Sequence, residues 1–164
     1  MLRRKKERSP DDFWREYEEK TGEKVLARGL GQYLSGWEEF DSKEWTAVWG
    51  LVIATSGGFR FHHFPQQNWL AALTSFAGAE AAKEKTIFIP NEKIVSARIV
   101  KETSWWKKLL RSSQPKIVIS YRDESDTERQ LLLEADTNSA DIAEKLNAVT
   151  REQGSGTGDQ GVEN

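Results

Sequence analysis

The chain has 164 residues, of which 37% are hydrophobic and 30% are charged, and it contains no cysteine. This composition predicts one soluble domain with short tails, and it excludes disulfide bonds and cysteine-ligated metal sites. The formal net charge of −2 is unevenly distributed. Residues 1–10 carry five basic side chains and one acidic side chain, whereas the rest of the chain carries 19 basic and 25 acidic residues. An acidic folded region argues against nucleic acid as a partner.

Both ends of the chain differ in composition from its centre. Residues 1–9 are predicted to form a basic disordered arm, and the Gly-rich residues 151–164 a disordered tail, around a single domain at residues 10–150. The basic arm is not followed by the apolar run of a signal peptide, and the longest apolar stretch, WTAVWGLVIAT, is too short to cross a bilayer. We therefore expect a cytoplasmic protein, either free or peripheral at a membrane.

Taken in chain order, the first predicted element is a short helix at residues 10–21. Ser9 suits the N-cap, Pro10 suits the first helical position, and Gly22 can end the helix in the left-handed conformation. The aromatic residues of this helix fall on one side: Phe13, Trp14 and Tyr17.

Seven strand-like segments follow. They are EKVLARGLGQYL, TAVWGLVIAT, FRFHHF, KTIFIP, EKIVSARIVKE, PKIVISYRD and ERQLLLEAD. Most alternate apolar and polar residues, and in the fifth segment the alternation predicts Val95, Ala97 and Ile99 on one face. Between the third and fourth segments, residues 66–84 are Ala-rich and predict a short helix or an ordered insertion.

The last predicted element is an amphipathic helix in DTNSADIAEKLNAV. Ile142, Leu146 and Val149 repeat at helical spacing, so one stripe is apolar. A helix with a single apolar stripe lies on a sheet rather than inside a core. We expect it to cover the open end of the strands that precede it.

This order of elements resembles the pleckstrin-homology (PH) superfold, in particular its GRAM-type and bacterial PH-like branches. The resemblance rests on GLVIATSGGFRF and IFIPNEKIVSARI, with EKVLARG similar to the opening strand and ADIAEKLNAV to the closing helix. It covers approximately residues 22–150. It implies a mainly β fold with flanking helices, namely a PH-like seven-stranded β-barrel or sandwich capped by a C-terminal α-helix.

Two features depart from the PH pattern. Many eukaryotic PH domains carry a tryptophan in the final helix, and none stands between Asp136 and Thr150. Phosphoinositide-binding members carry Lys and Arg around the first hairpin loop, whereas the corresponding SGWEEFDSKEW has four acidic residues and one lysine. Because a negative loop repels inositol phosphates, the resemblance does not extend phosphoinositide binding to this chain.

Catalytic and metal-binding patterns are not found in the sequence. His62 and His63 are adjacent on a strand and point to opposite faces, so we expect one to be packed and the other solvated rather than both to hold a metal. The sequence has no nucleophile elbow, zincin helix or phosphate-binding Gly loop. We therefore predict a protein that is not an enzyme and that has no cofactor.

The loop SGWEEFDSKEW combines three aromatic residues with acids. In one interpretation one or two of these aromatics fold back under the rim of the barrel. In the other the loop docks a protein, because exposed aromatics within a polar surround form binding hot spots, and the acids select a basic partner. The candidate partner-binding residues here are Trp37, Phe40 and Trp45.

The segment SWWKKLLRSS has two faces if it is helical. Its apolar arc contains Trp105 and Trp106, and its basic arc contains Lys107, Lys108 and Arg111. The apolar arc can clamp onto the barrel, dock a protein, or enter a membrane interface. In the membrane interpretation the basic arm adds a second, electrostatic contact. The arm residues are Arg3, Arg4, Lys5 and Lys6.

Together these patterns predict a non-catalytic intracellular PH/GRAM-like interaction module that binds a protein partner. Two alternatives remain at this point: a peripheral module that binds anionic lipid at a membrane surface, and a carrier of a small apolar ligand. An edge strand or the Trp-rich loops could also support a homo-oligomer.

Overall fold

The computed structural model describes residues 9–41, 48–63, 85–100, 115–135 and 138–154. Among these residues, helix α1 (Pro10–Thr21) precedes seven strands, and helix α2 (Ser139–Gly154) follows them. The strands are β1 (Val25–Ser35), β2 (Val48–Thr55), β3 (Gly58–His63), β4 (Lys85–Pro90), β5 (Ile94–Val100), β6 (Lys116–Arg122) and β7 (Glu128–Ala135). They form one antiparallel sheet in the order β4-β3-β2-β1-β7-β6-β5. The predicted mainly β fold with a C-terminal capping helix is confirmed.

Helix α1 begins and ends where the sequence predicts. Ser9 and Asp12 form a capping box, in which the Asp12 N–H donates to Ser9 Oγ at 3.2 Å and the Ser9 N–H donates to the Asp12 carboxylate at 3.3 Å. Gly22 ends the helix with φ +69°, and its N–H donates to the Glu18 carbonyl at 2.8 Å.

The core lies on the inner face of the folded sheet. In the β2–β3 hairpin, Phe59, Phe61 and His63 alternate inward and are buried, as their spacing predicts. Ile87 and Ile89 do the same in β4, whereas Phe88 between them is 38% exposed. The other large, fully buried members of this core are Val52, Ile117, Ile119, Leu131, Leu133, Ile142 and Leu146.

Helix α2 packs mainly against β5 and extends further than predicted. Ile142 and Leu146 are buried in the core, and Val149 is half-buried. The helix continues through residues 151–154, which the sequence assigned to the disordered tail. No helix-breaking residue precedes Gly154, and Arg151 in the last turn favours the negative end of the helix dipole.

Strand β5 departs from the predicted alternation. Its pairing with β6 shifts register between Ile94 and Ser96, so Ile94 and Ala97 are both buried while Val95 is 43% exposed. The predicted shared face of Val95 and Ala97 is therefore wrong. A bulge adds one residue between two inward positions, and simple alternation does not anticipate it.

Helix α1 lies across the outer face of β1–β3. Trp14 stacks on the Arg28 guanidinium at 4.2 Å, and Tyr17 hydrogen-bonds His62 at 2.8 Å. Leu51 and Ile53 belong to this outer face and are 5% and 0% exposed. The outer face of β2 is therefore covered from solvent at these two positions, as its inner face is.

Candidate functional site

A short acidic segment leaves β1 at one end of the sheet. Within residues 36–41, the Phe40 and Asp41 N–H groups both donate to the Trp37 carbonyl and close a turn. The Tyr33 hydroxyl accepts from the Trp37 N–H at 2.7 Å and donates to the Asp41 carboxylate. Burial, and next the bond to Asp41, raise the pKa of Tyr33. The Tyr33 hydroxyl therefore fixes both ends of the turn, at Trp37 and at Asp41.

The same segment is also fastened to the β6–β7 hairpin, far away in sequence. The Tyr121 hydroxyl donates to the Gly36 carbonyl at 2.9 Å, and the Tyr121 ring lies 5.7 Å from the Trp37 ring at an interplanar angle of 34°. Burial raises the pKa of Tyr121. Gly36 has φ +102°, and a Cβ there would lie 1.9 Å from the Gln130 carbonyl oxygen. Only glycine fits this close approach.

Phe40, a predicted partner-binding residue, is in the core. It is 2% exposed, and its ring lies 5.3 Å from that of Tyr33 and 6.1 Å from that of Phe61. The interpretation in which an aromatic of this loop folds back under the rim therefore applies to Phe40. Its apolar ring is stabilised by burial, which leaves it with no exposed surface for a partner.

The β6–β7 hairpin presents charges that are arranged in pairs. Asp123 accepts from the Ser125 and Thr127 N–H groups and from Arg129 Nε at 2.6 Å. The bond from Arg129 is the main reason that the pKa of Asp123 is lowered. Two further exposed ion pairs lie nearby, Arg122 with Asp126 at 3.1 Å and Lys93 with Glu124 at 3.0 Å.

These two segments border an open groove of about 1450 Å³. One bank is residues 36–41, the other is the β6–β7 hairpin, and the end of β4 contributes Phe88 to Pro90. Trp37, Tyr121 and Phe88 are the aromatic residues of its lining. We call this feature the aromatic–acidic groove. The groove is open to solvent, and its lining combines apolar and charged residues.

A separate polar cluster lies where the chain passes from α1 into β1. Arg60 donates to both carboxylate oxygens of Glu23, at 2.6 and 3.0 Å, and Thr55 Oγ1 donates to the same carboxylate. The bonds from Arg60 are the main reason that the pKa of Glu23 is lowered. The Arg60 guanidinium lies 3.9 Å from the Phe88 ring centroid. This cluster ties the α1–β1 connection to β2 and β3.

His62 joins that cluster to α1. Its Nε2 lies 2.8 Å from the Tyr17 hydroxyl and its Nδ1 lies 3.1 Å from Thr86 Oγ1. Burial, reinforced by Arg60 and Lys20, lowers the pKa of His62 to about 4. The expectation of one packed and one solvated histidine is therefore wrong for this residue, because α1 covers it.

Of the predicted partner-binding residues, the structure describes only Trp37 and Phe40. Trp37 is half-buried and lines the groove. The other partner-binding and membrane-binding candidates lie outside the described residues: Trp45, Trp105, Trp106, Arg3, Arg4, Lys5, Lys6, Lys107, Lys108 and Arg111. The sequence did not identify Tyr121 as a site residue, because only the fold brings it to Trp37.

The described ranges contain neither a membrane-spanning helix nor a cluster of metal-ligating side chains. Neither helix there is long and apolar enough to cross a membrane. No group of three or more metal-ligating side chains was found in that same part of the chain.

In the part of the chain that the structure describes, seven antiparallel strands, a capping helix and an open aromatic–acidic groove define a mainly β protein. No family model matches the chain, and no curated protein matches it. Among solved structures, the chain is similar to the C-terminal domain of an unknown protein from Leishmania infantum, at 13% identity and a TM-score of 0.44. That similarity covers 85% of this chain and 94% of the other.

Proposed function

We propose that the chain is a non-catalytic, PH-like interaction module of the GRAM type that binds a protein partner in the aromatic–acidic groove. The sheet order β4-β3-β2-β1-β7-β6-β5, closed by a helix after the last strand, supports the PH-like assignment. It agrees with the resemblance carried by residues 50–61 and 87–99 of the sequence.

The observation that carries the binding role is the placement of Trp37. Its ring lies against Tyr121 in the lining of an open groove, and the neighbouring Glu38 is exposed. Half-buried aromatic rings surrounded by polar groups are typical of binding hot spots, because they offer a large contact area at a low cost in conformational entropy. The groove is fixed before binding by the Tyr33 and Tyr121 hydrogen bonds, which lowers the ordering cost of association.

The same features make the other candidate ligands less suitable. The interior that a small apolar ligand would need is occupied by fully buried side chains, including Phe59, Phe61 and Leu133. Acids on the 36–41 bank repel anionic lipid headgroups at this end of the sheet. A membrane-bound module would therefore have to use the basic arm and residues 105–111, and liposome flotation of Trp105→Ala/Trp106→Ala tests that alternative.

Selection from a random displayed-peptide library tests the proposal. The bait is the full chain, with Trp37→Ala as the groove variant and Trp49→Ala as the matched control, since Trp49 is 53% exposed on β2 and does not line the groove. We expect peptides that are enriched on the unmodified chain and on Trp49→Ala but lost on Trp37→Ala. Peptides that bind all three proteins equally would contradict the groove as the binding surface, as would a library that yields none.

A further inference from the structure

We infer that the aromatic–acidic groove selects a segment of another protein that carries Lys or Arg on both sides of an apolar residue. This inference rests on the proposed function and specifies the chemistry of the partner. It follows from how charge and apolar surface are distributed between the two banks of the groove.

The first bank, residues 36–41, contains several acidic side chains, and these side chains are exposed. Residues 36–41 contain Glu38, Glu39 and Asp41 and no basic residue. All three acids are exposed. Asp41 also has a structural role, because the Tyr33 hydroxyl and the Gly36 N–H donate to it. This bank therefore attracts cations.

The second bank adds little charge of either sign. Its two arginines each pair with an acid, Arg122 with Asp126 and Arg129 with Asp123, and its Glu124 pairs with Lys93, which lies just after β4. A basic partner thus meets an attractive bank on one side and a nearly neutralised bank on the other. An acidic partner would meet repulsion on the first bank without matching attraction on the second.

The apolar part of the lining limits what lies between the cations. Trp37 is half-buried, and Phe88 is 38% exposed although the Arg60 guanidinium covers one face of its ring, so both leave some apolar surface open to a ligand. An apolar side chain gains from burial against these rings, and the methylene stems of Lys or Arg can pack beside them while the charged ends reach the acids. A segment with only charged side chains would leave the Trp37 and Phe88 rings exposed to water and would gain nothing from apolar burial.

Fluorescence anisotropy with three labelled peptides of equal length tests the inference. One peptide alternates Lys with Leu, the second Ser with Leu, and the third Glu with Leu. We expect the Lys peptide to bind about tenfold or more tightly than the Ser peptide, the Glu peptide not to bind, and the affinity of the Lys peptide to fall as NaCl rises from about 50 to about 300 mM. Glu38→Gln/Glu39→Gln should weaken the Lys peptide about threefold to tenfold, whereas the exposed Glu144→Gln on α2 should not.

The outcomes separate this inference from the proposed function. If the Ser peptide binds as tightly as the Lys peptide and Trp37→Ala abolishes both, a basic partner is overturned while the groove remains the binding surface. If the Lys peptide binds equally well to Trp37→Ala, the groove itself is overturned. If removal of residues 1–8 raises the affinity for the Lys peptide about tenfold or more, the chain's own basic arm occupies the groove, and a separate protein as the occupant is overturned.

Discussion

Asn147 of α2 hydrogen-bonds both backbone groups of Ala97 in β5. Its Oδ1 accepts from the Ala97 N–H at 2.9 Å, and its Nδ2 donates to the Ala97 carbonyl at 2.7 Å. Because β5 is a terminal strand of the sheet, these are groups that an added strand would otherwise use. The Asn147 side chain therefore satisfies the hydrogen-bonding groups of Ala97 at the edge of the sheet. The same two bonds fix the position of the capping helix.

Replacing Asn147 by Leu should destabilise the fold by about 1–3 kcal/mol, because both backbone groups of Ala97 lose their partner. Urea denaturation measures the effect as a lower midpoint at an unchanged slope. Glu144→Ala, at an exposed position of the same helix, serves as the control and should shift the midpoint little. An Asn147→Leu midpoint equal to that of the control would show that the helix does not depend on this contact.

The Glu23–Arg60 pair should contribute more than an exposed pair. Their side chains are only 16% and 18% exposed, whereas those of Glu124 and Lys93 are 98% and 34% exposed. We expect Glu23→Gln to cost about 2–3 kcal/mol and Glu124→Gln less than about 1 kcal/mol. Chemical denaturation of these two variants, of the single variants Arg60→Gln and Lys93→Gln, and of the two double mutants gives the two coupling energies. Equal coupling energies would rule out a special role for the buried pair.

Stability should fall on mild acidification because His62 is held neutral. Tyr17 and Lys20 of α1, Arg60 of β3 and Thr86 of β4 face its ring. Its folded pKa of about 4 lies below the unfolded value of 6.5, so the unfolded state takes up a proton first as the pH falls. The stability is fully present above pH 6.5 and is lost toward pH 4.

Between about pH 7.5 and about pH 5 this loss should amount to about 2 kcal/mol, before the carboxylates titrate. Urea unfolding at the two pH values measures it, and His62→Gln should remove most of the difference. If the stability of His62→Gln falls as much between the two pH values as that of the unmodified chain, groups other than His62 cause the loss.

Gly36 and Gly22 both have positive φ, but of the two only Gly36 lies close to the backbone of another strand. A Cβ at Gly22 meets nothing within 4 Å, whereas one at Gly36 meets the Gln130 carbonyl. We expect Gly22→Ala to cost about 1 kcal/mol and Gly36→Ala about 2 kcal/mol or more. Thermal unfolding compares the two. Similar losses would mean that segment 36–41 can move away from β7 without strain.

The sequence predicts the local elements well because their determinants are local. Ser9, Pro10 and Gly22 define α1 through capping and backbone conformation, and these interactions span only a few residues. The inward faces of β3 and β4 follow from simple alternation of large apolar side chains. Where alternation fails, at Val95, the cause is a bulge that depends on pairing with β6.

The groove is harder to predict because its banks are distant in sequence. Trp37 was recognised from its acidic, aromatic surroundings, but Tyr121 resembles an ordinary inward residue of a strand. Their contact depends on β1 and β7 pairing side by side, which the pattern of each strand alone does not specify. The burial of Phe40 also depends on tertiary packing, since its neighbours in sequence are polar.

The most direct test of the central claim is amide hydrogen exchange of the full chain with and without a saturating peptide from the library selection. We expect slower exchange in residues 36–41 and 121–130, the two banks of the groove, with α2 unchanged as an internal reference. Protection confined to α2 or to the outer face beneath α1, with the groove segments unaffected, would contradict the claim that this groove is the binding surface.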